Sequence, residues 1–167
     1  REEPERPLRK KVERQTRARH ESPDSYTTPA PLKYGTTTEI VITGGDVVTG
    51  HDLATGRELW RADGLNPNDN TAYRIVASPL VHGELLFVPS RERPLLAIKP
   101  GGRGDVTGTH VLWNFMNGPD VPSPVTDGTY LYSVNDRGIV YCLDAKTGAT
   151  VYGPQRLRPA TYSSSPV

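Results

Sequence analysis

"HDLATGRELW" (51–60) and "CLDAKTGATVY" (142–152) carry the same local pattern: an aspartate, two residues, Thr-Gly, and an aromatic four residues beyond the glycine. Each reads as a hairpin loop between two strands. Asp52 and Asp144 can accept backbone N–H bonds from residues two or three positions on, and Gly56 and Gly148 can take the positive φ that such loops require. A turn this particular, written twice in 167 residues, asks whether longer units repeat with it.

Ser/Thr-Pro dipeptides supply the ruler. Those at Pro29, Pro79, Pro124 and Pro166 fall at intervals of 50, 45 and 42 residues. Periods of roughly 40–50 residues belong to the four-stranded blades of propellers. After each of the first three prolines the order of events is shared. A polar or Gly-containing bend comes first, then an apolar stretch: "EIVIT", "ELLFVPS" and "TYLYSV". A second apolar stretch follows a turn: "DVVTGHDL", "PLLAIK" and "GIVYCLD". A third, short segment then carries a large aromatic: Trp60, Trp113 and Tyr152. A twisted sheet packed on both faces needs bulky rings to fill the wedge between neighbours, so these aromatics read as packing residues rather than ligand-stacking ones.

Composition agrees with many short strands. The chain holds 16 Pro and 16 Gly and is 35% hydrophobic, a balance that suits strands joined by tight turns. Its formal net charge of +1 is uneven. Residues 1–19 carry eight basic residues against four acidic ones, and the remainder carries twelve against fifteen. The mildly acidic body gives no electrostatic reason to bind nucleic acid. The single Cys142 excludes an internal disulfide and a cysteine-based zinc site. No apolar run approaches the length of about 20 residues that a membrane helix needs, and the start of the chain has no apolar signal region.

The stretch "DGTYLYSVNDRGIVYCLDAKTGATVY" (127–152) resembles the pyrroloquinoline-quinone-repeat β-propellers nearly throughout, with Tyr152 where tryptophan is usual. "TGGDVVTGHDLATGRELW" (43–60) resembles the second half of the same repeat. The middle repeat departs, replacing the short loop by the Gly-rich "KPGGRGDVTGTH". The resemblance includes members similar to the β-barrel assembly lipoprotein. It implies an all-β propeller segment in the periplasm or at the cell surface, acting as a non-catalytic scaffold that binds another protein through its loops. The same family also implies two alternatives: a fragment of a quinone-dependent dehydrogenase using pyrroloquinoline quinone with calcium, or a carbohydrate-binding propeller. The quinone enzymes carry an adjacent cysteine pair, whereas Cys142 here lies between Tyr141 and Leu143.

The expected organisation is therefore about three four-stranded blades, at 26–76, 77–120 and 121–161, with the first strand of a fourth at 162–167. Residues 1–25 are a charged connector or the end of a preceding blade. Since rings close with about four to eight blades, the sequence reads as a segment of a longer propeller. Among the loops, "RGD" with Arg103 and Asp105 is the candidate partner-facing protrusion, because propellers bind through inter-strand loops; integrin-type adhesion is the lesser reading of that tripeptide. "NPNDN" (66–70) and "VNDRG" (134–138) lack the alternating ligands and final Glu of a calcium loop and read as turns. His20, His51, His82 and His110 stand singly, without metal-ligand spacing, and no nucleophile elbow or phosphate loop is present.

Overall fold

The computed structural model describes residues 24–70, 72, 74–91 and 94–166, so most of the charged start, including His20, lies outside the described residues. Past the short β1 (Asp24–Ser25), the first sheet holds β2 (Ala30–Tyr34), β3 (Thr37–Gly44), β4 (Val47–Asp52) and β5 (Glu58–Ala62). β6 (Arg74–Ile75) leads to the second, of β7 (Leu80–His82), β8 (Leu85–Val88), β9 (Leu95–Ile98) and β11 (Val111–Phe115). Between its last two strands lie β10 (Gly104–Asp105) and a single helical turn, α1 (Thr107–His110). The third sheet comprises β12 (Val125–Thr126), β13 (Tyr130–Val134), β14 (Ile139–Asp144) and β15 (Thr150–Arg156). Each of the three is an antiparallel meander in chain order. The protein is an all-β propeller segment.

The prolines act as strand starters. β2, β7 and β12 each begin at the residue after Pro29, Pro79 and Pro124, where the missing N–H is not needed by a ladder. The Ser or Thr before each proline has a second task. Thr28 donates its backbone N–H to the Ser78 hydroxyl, Ser78 to that of Ser123, and Ser123 to that of Ser165, each at 2.9 Å. These partners are 50, 45 and 42 residues apart, the intervals of the proline ruler. The connectors run side by side as well, β1 pairing parallel with β6, and the Tyr26 N–H reaching the Ile75 carbonyl at 2.8 Å. Residues 162–166 join this ladder through Ser165. No strand is formed at 162–166, since a strand exists only where a ladder partner lies beside it.

The middle sheet shows why the repeat stacks. Every residue of β9, and Leu86, Phe87 and Val88 of β8, is buried. Side chains alternate along a strand, so Leu86, Val88, Leu96 and Ile98 join Leu32, Val41, Val48 and Trp60 of the first blade. Phe87, Leu95 and Ala97 face the other way and pack on Leu131, Leu143 and Ala145 of the third. Both faces are apolar because both are covered.

One connection departs from the simple meander. The Gly-rich segment of the middle repeat turns back onto the first blade, and β10 pairs parallel with β5, Gly104 opposite Trp60 and Asp105 opposite Arg61. It gives the first sheet a fifth strand. The Val106 N–H bonds the Arg61 carbonyl at 2.8 Å, its side chain is buried, and the Asp63 N–H reaches the Thr107 hydroxyl at 2.9 Å. An unpaired outer edge is thereby covered.

Candidate functional site

The two loops that revealed the repeat close in the same way. Asp52 Oδ1 accepts the Thr55 N–H at 2.8 Å and its hydroxyl at 2.6 Å. Asp144 Oδ1 accepts the same pair from Thr147 at 2.8 and 2.9 Å. Gly56 and Gly148 take φ of +68° and +71°, and each donates its N–H to the carbonyl of the loop aspartate at 2.8 Å. These donors hold both carboxyls below the ordinary aspartate value, the Thr55 hydroxyl first for Asp52 and the Thr147 amide first for Asp144.

The aromatics bind blades together. Trp113, on the outer strand of the second blade, donates its indole N–H to the Ala145 carbonyl of the third at 3.3 Å. It lies so close over Gly148 that a Cβ there would meet Trp113 Cδ2 at 2.6 Å. Trp60 is fully buried and covers Gly50 of its own sheet, where a Cβ would meet the ring at 2.1 Å. Tyr152 occupies the matching place on the third blade with no blade beyond it among the described residues, and it is 42% exposed.

On β3 of the first blade, Glu39 is completely buried. Its Oε1 accepts the Tyr34 hydroxyl and its Oε2, at 2.6 Å, the Trp60 indole N–H, while Arg103 Nη1 lies 3.6 Å from Oε1. Burial, and then the bond to Glu39, hold the Tyr34 phenol above its ordinary value. The Arg103–Asp105 loop is therefore anchored at its base by Arg103 and along its backbone by β5, although Gly104 and Asp105 remain exposed.

In an antiparallel meander the first and third turns of every sheet share one end. The middle turns and the connectors between blades share the other. That second end carries a cleft of about 820 Å³ between the second and third blades. Arg91 lines it from the middle turn of the second blade, Asn117, Gly118 and Asp120 from the connector, and Asn135, Asp136 and Arg137 from the middle turn of the third; Arg156 closes the end of β15. The turn is rigid: Asn135 Oδ1 accepts the N–H groups of Arg137 and Ile139, each at 3.0 Å. Asp136 reaches outside its turn, its two oxygens accepting the Asp120 and Val121 N–H groups at 3.1 Å and so fastening the connector. Sequence reasoning placed Asp136 in this turn but did not find the clamp or the arginines, because no local pattern links 91, 137 and 156.

The remaining candidates have structural tasks. In the 66–70 stretch, buried Asn66 closes its own turn, Oδ1 accepting the Asn70 N–H at 3.0 Å. His51 lies within 3.2 Å of the Gly56 carbonyl and 2.9 Å of the Thr49 hydroxyl, His82 lies against Gly128, and His110 against Gly102. Burial, then Lys99, lowers the His110 pKa. Cys142 is buried in β14 and its thiol is pushed up by that burial. Among the described residues no three His, Cys, Asp or Glu side chains gather as a metal site, and no helix is long and apolar enough to cross a membrane.

Among curated proteins no sequence relative matches. Solved structures do. The chain is similar to BamB from Moraxella catarrhalis at a TM-score of 0.56 and 18% identity, over 78% of this chain and 36% of that one. A europium-containing methanol dehydrogenase gives 0.53 at 17% identity, over 73% and 23%, and quinohemoprotein alcohol dehydrogenase from Comamonas testosteroni 0.51 at 15%, over 76% and 21%. Likeness at these identities speaks to fold, and this chain spans about a third or less of each neighbour. The family is shown by sequence: residues 13–152 match the model described as outer membrane protein assembly factor BamB, and the chain belongs to that family.

Proposed function

We propose that this chain is part of a non-catalytic propeller scaffold in the cell envelope, periplasmic or at the cell surface, which binds another protein through loops at the ends of its blades. Residues 26–76, 77–120 and 121–161 are its three blades. The observation that carries the reading is the cleft at the connector end, walled by two blades whose apolar faces are already consumed against each other. A rigid, packed frame with a polar concavity built from turns and connectors suits recognition of a partner, because loop side chains can vary without disturbing the core. Membership of the BamB family supports a partner that is itself a protein. The quinone enzymes among the structural neighbours share the fold, and fold alone does not carry function.

The test is site-specific photo-crosslinking in cells, within the chain's natural parent protein. A crosslinker at Asn117 gives one discrete protein adduct, and one at exposed Leu53, at the opposite end, gives none. A third at Asp105 tests the sequence-derived loop directly. If neither end yields a protein adduct, while the parent protein reduces dye with quinone and calcium or binds polysaccharide saturably, the scaffold reading falls.

A further inference from the structure

We propose that the cleft between the second and third blades is a carboxylate-recognition site for an acidic peptide segment of the partner, with Arg137 and Arg156 as its paired cationic anchors. The inference rests on the protein-binding reading above and names the chemistry of that site. Its basis is which charges the fold has already consumed. The Asp136 carboxylate is occupied by two backbone N–H groups of the connector. Arg91 Nε lies 3.9 Å from Asp120, and Arg91 Nη1 donates to the Ala72 carbonyl at 3.3 Å. Arg137 and Arg156 also line the cleft and engage no acidic side chain among the described residues. Among the described residues the cleft thus keeps two guanidinium groups that no acidic side chain pairs.

Their placement follows from register. Arg156 stands directly opposite Ile139 across the β14–β15 ladder, two residues from Arg137, and the Leu157 N–H bonds the Gly138 carbonyl at 2.8 Å, holding strand end and turn together. Because Asn135 Oδ1 is held by its own turn, its amide NH2 faces away from those bonds as a further donor. Beside these donors the wall is apolar: Ile139, and Tyr141, whose ring is fixed edge-on to Phe115 at 5.0 Å between centroids. Planar guanidinium forks match carboxylates in two-point hydrogen bonds. A cleft of about 820 Å³ holds several side chains rather than one ion. The best-fitting ligand is therefore a peptide segment with two or more Asp or Glu side chains around an apolar or aromatic one. Nucleic acid is disfavoured because the body outside the first 19 residues carries more acidic than basic groups.

The probe is a fluorescein-labelled pentapeptide of four Glu around a Phe, titrated with the chain and followed by anisotropy, beside the same peptide with Gln for Glu. The Glu peptide binds, the Gln peptide binds at least tenfold more weakly, and affinity falls as salt rises. Combined Arg137→Gln and Arg156→Gln weakens Glu-peptide binding at least tenfold, while Arg57→Gln at the opposite end leaves it unchanged. Both arginines are exposed, so the double variant keeps its melting temperature, which is checked alongside. Equal binding of the two peptides, or unchanged binding by the double variant, overturns the proposal. So does arginine-dependent binding of polygalacturonate without binding of the peptide, which makes the carboxylate source a polysaccharide. The two readings part in the parent protein: if the Asn117 adduct survives the double substitution, the scaffold stands and the carboxylate site falls.

Discussion

Gly56 and Gly148 occupy the same turn in two blades, at φ of +68° and +71°, and differ in what lies above them. Alanine at either position meets the steric cost of the left-handed region, about 1 kcal/mol. At Gly56 no described atom lies within 4 Å of the added Cβ, so the cost ends there. At Gly148 the Cβ would stand 2.6 Å from Trp113 Cδ2 and 2.8 Å from Cε3, with the indole held by Phe87 at 5.9 Å between centroids and by the Ala145 carbonyl. A packed ring cannot retreat freely, and overpacking of this kind costs about 1–3 kcal/mol more. Gly148→Ala therefore loses about 2–4 kcal/mol against about 1 for Gly56→Ala. At this chain length each kcal/mol moves the melting temperature by about 2–4 °C, so thermal unfolding followed by circular dichroism resolves the gap. Trp113→Ala in the Gly148→Ala background removes the clash and recovers part of the difference as a coupling energy. Equal losses at the two glycines, or strictly additive losses in the double variant, would refute the claim that Trp113 docks the second blade onto the third through this turn.

Glu39→Gln removes the charge that three donors surround in a fully buried place. It leaves Arg103 exposed to solvent rather than buried, so denaturant unfolding should show the loss of charge-assisted hydrogen bonds, about 1.5–3 kcal/mol, with the emission of Trp60 altered. Asp144 and Asp52 have folded-state pKa values below 3.8, so their stabilisation is fully present above that value and is lost as pH falls through the folded value. Asp144→Asn should flatten the acid limb of the stability–pH curve, and an unchanged limb counts against the turn. Tyr132 donates to Asp127 at 2.8 Å and its phenol is pushed up to about 12. Its stabilisation is whole below the ordinary tyrosine value of 10.0 and is lost as pH rises through the folded one. An ultraviolet titration should show Tyr132 among the late-ionising tyrosines, with Tyr34, and Asp127→Asn should bring Tyr132 alone down. Ser78→Ala removes the acceptor for the Thr28 N–H while keeping its own N–H on Ser123; a loss of about 1 kcal/mol by thermal melt is expected, and a neutral result counts against the ladder.

Much of the frame was legible in the sequence because the information is local. Alternating apolar residues in "EIVIT", "TYLYSV" and "GIVYCLD" set β3, β13 and β14, and proline set where β2, β7 and β12 start. An aspartate with Thr-Gly specified its turn through bonds spanning three residues. Even the ladder was foreshadowed, since its partners are the dipeptides that define the period. The Arg103–Asp105 loop shows where such reading stops: glycines advertise flexible chain, yet whether it projects or returns depends on the open edge of β5, about forty residues earlier. The burial of Glu39, the grip of Asp136 on the next connector and the meeting of Arg137 with Arg156 have the same origin. Each depends on which blade stands beside which, and on charges whose partners are chosen in space. Periodicity in sequence determined the blades of this protein; only their packing decided which polar groups were consumed in holding them and which were left exposed at the cleft.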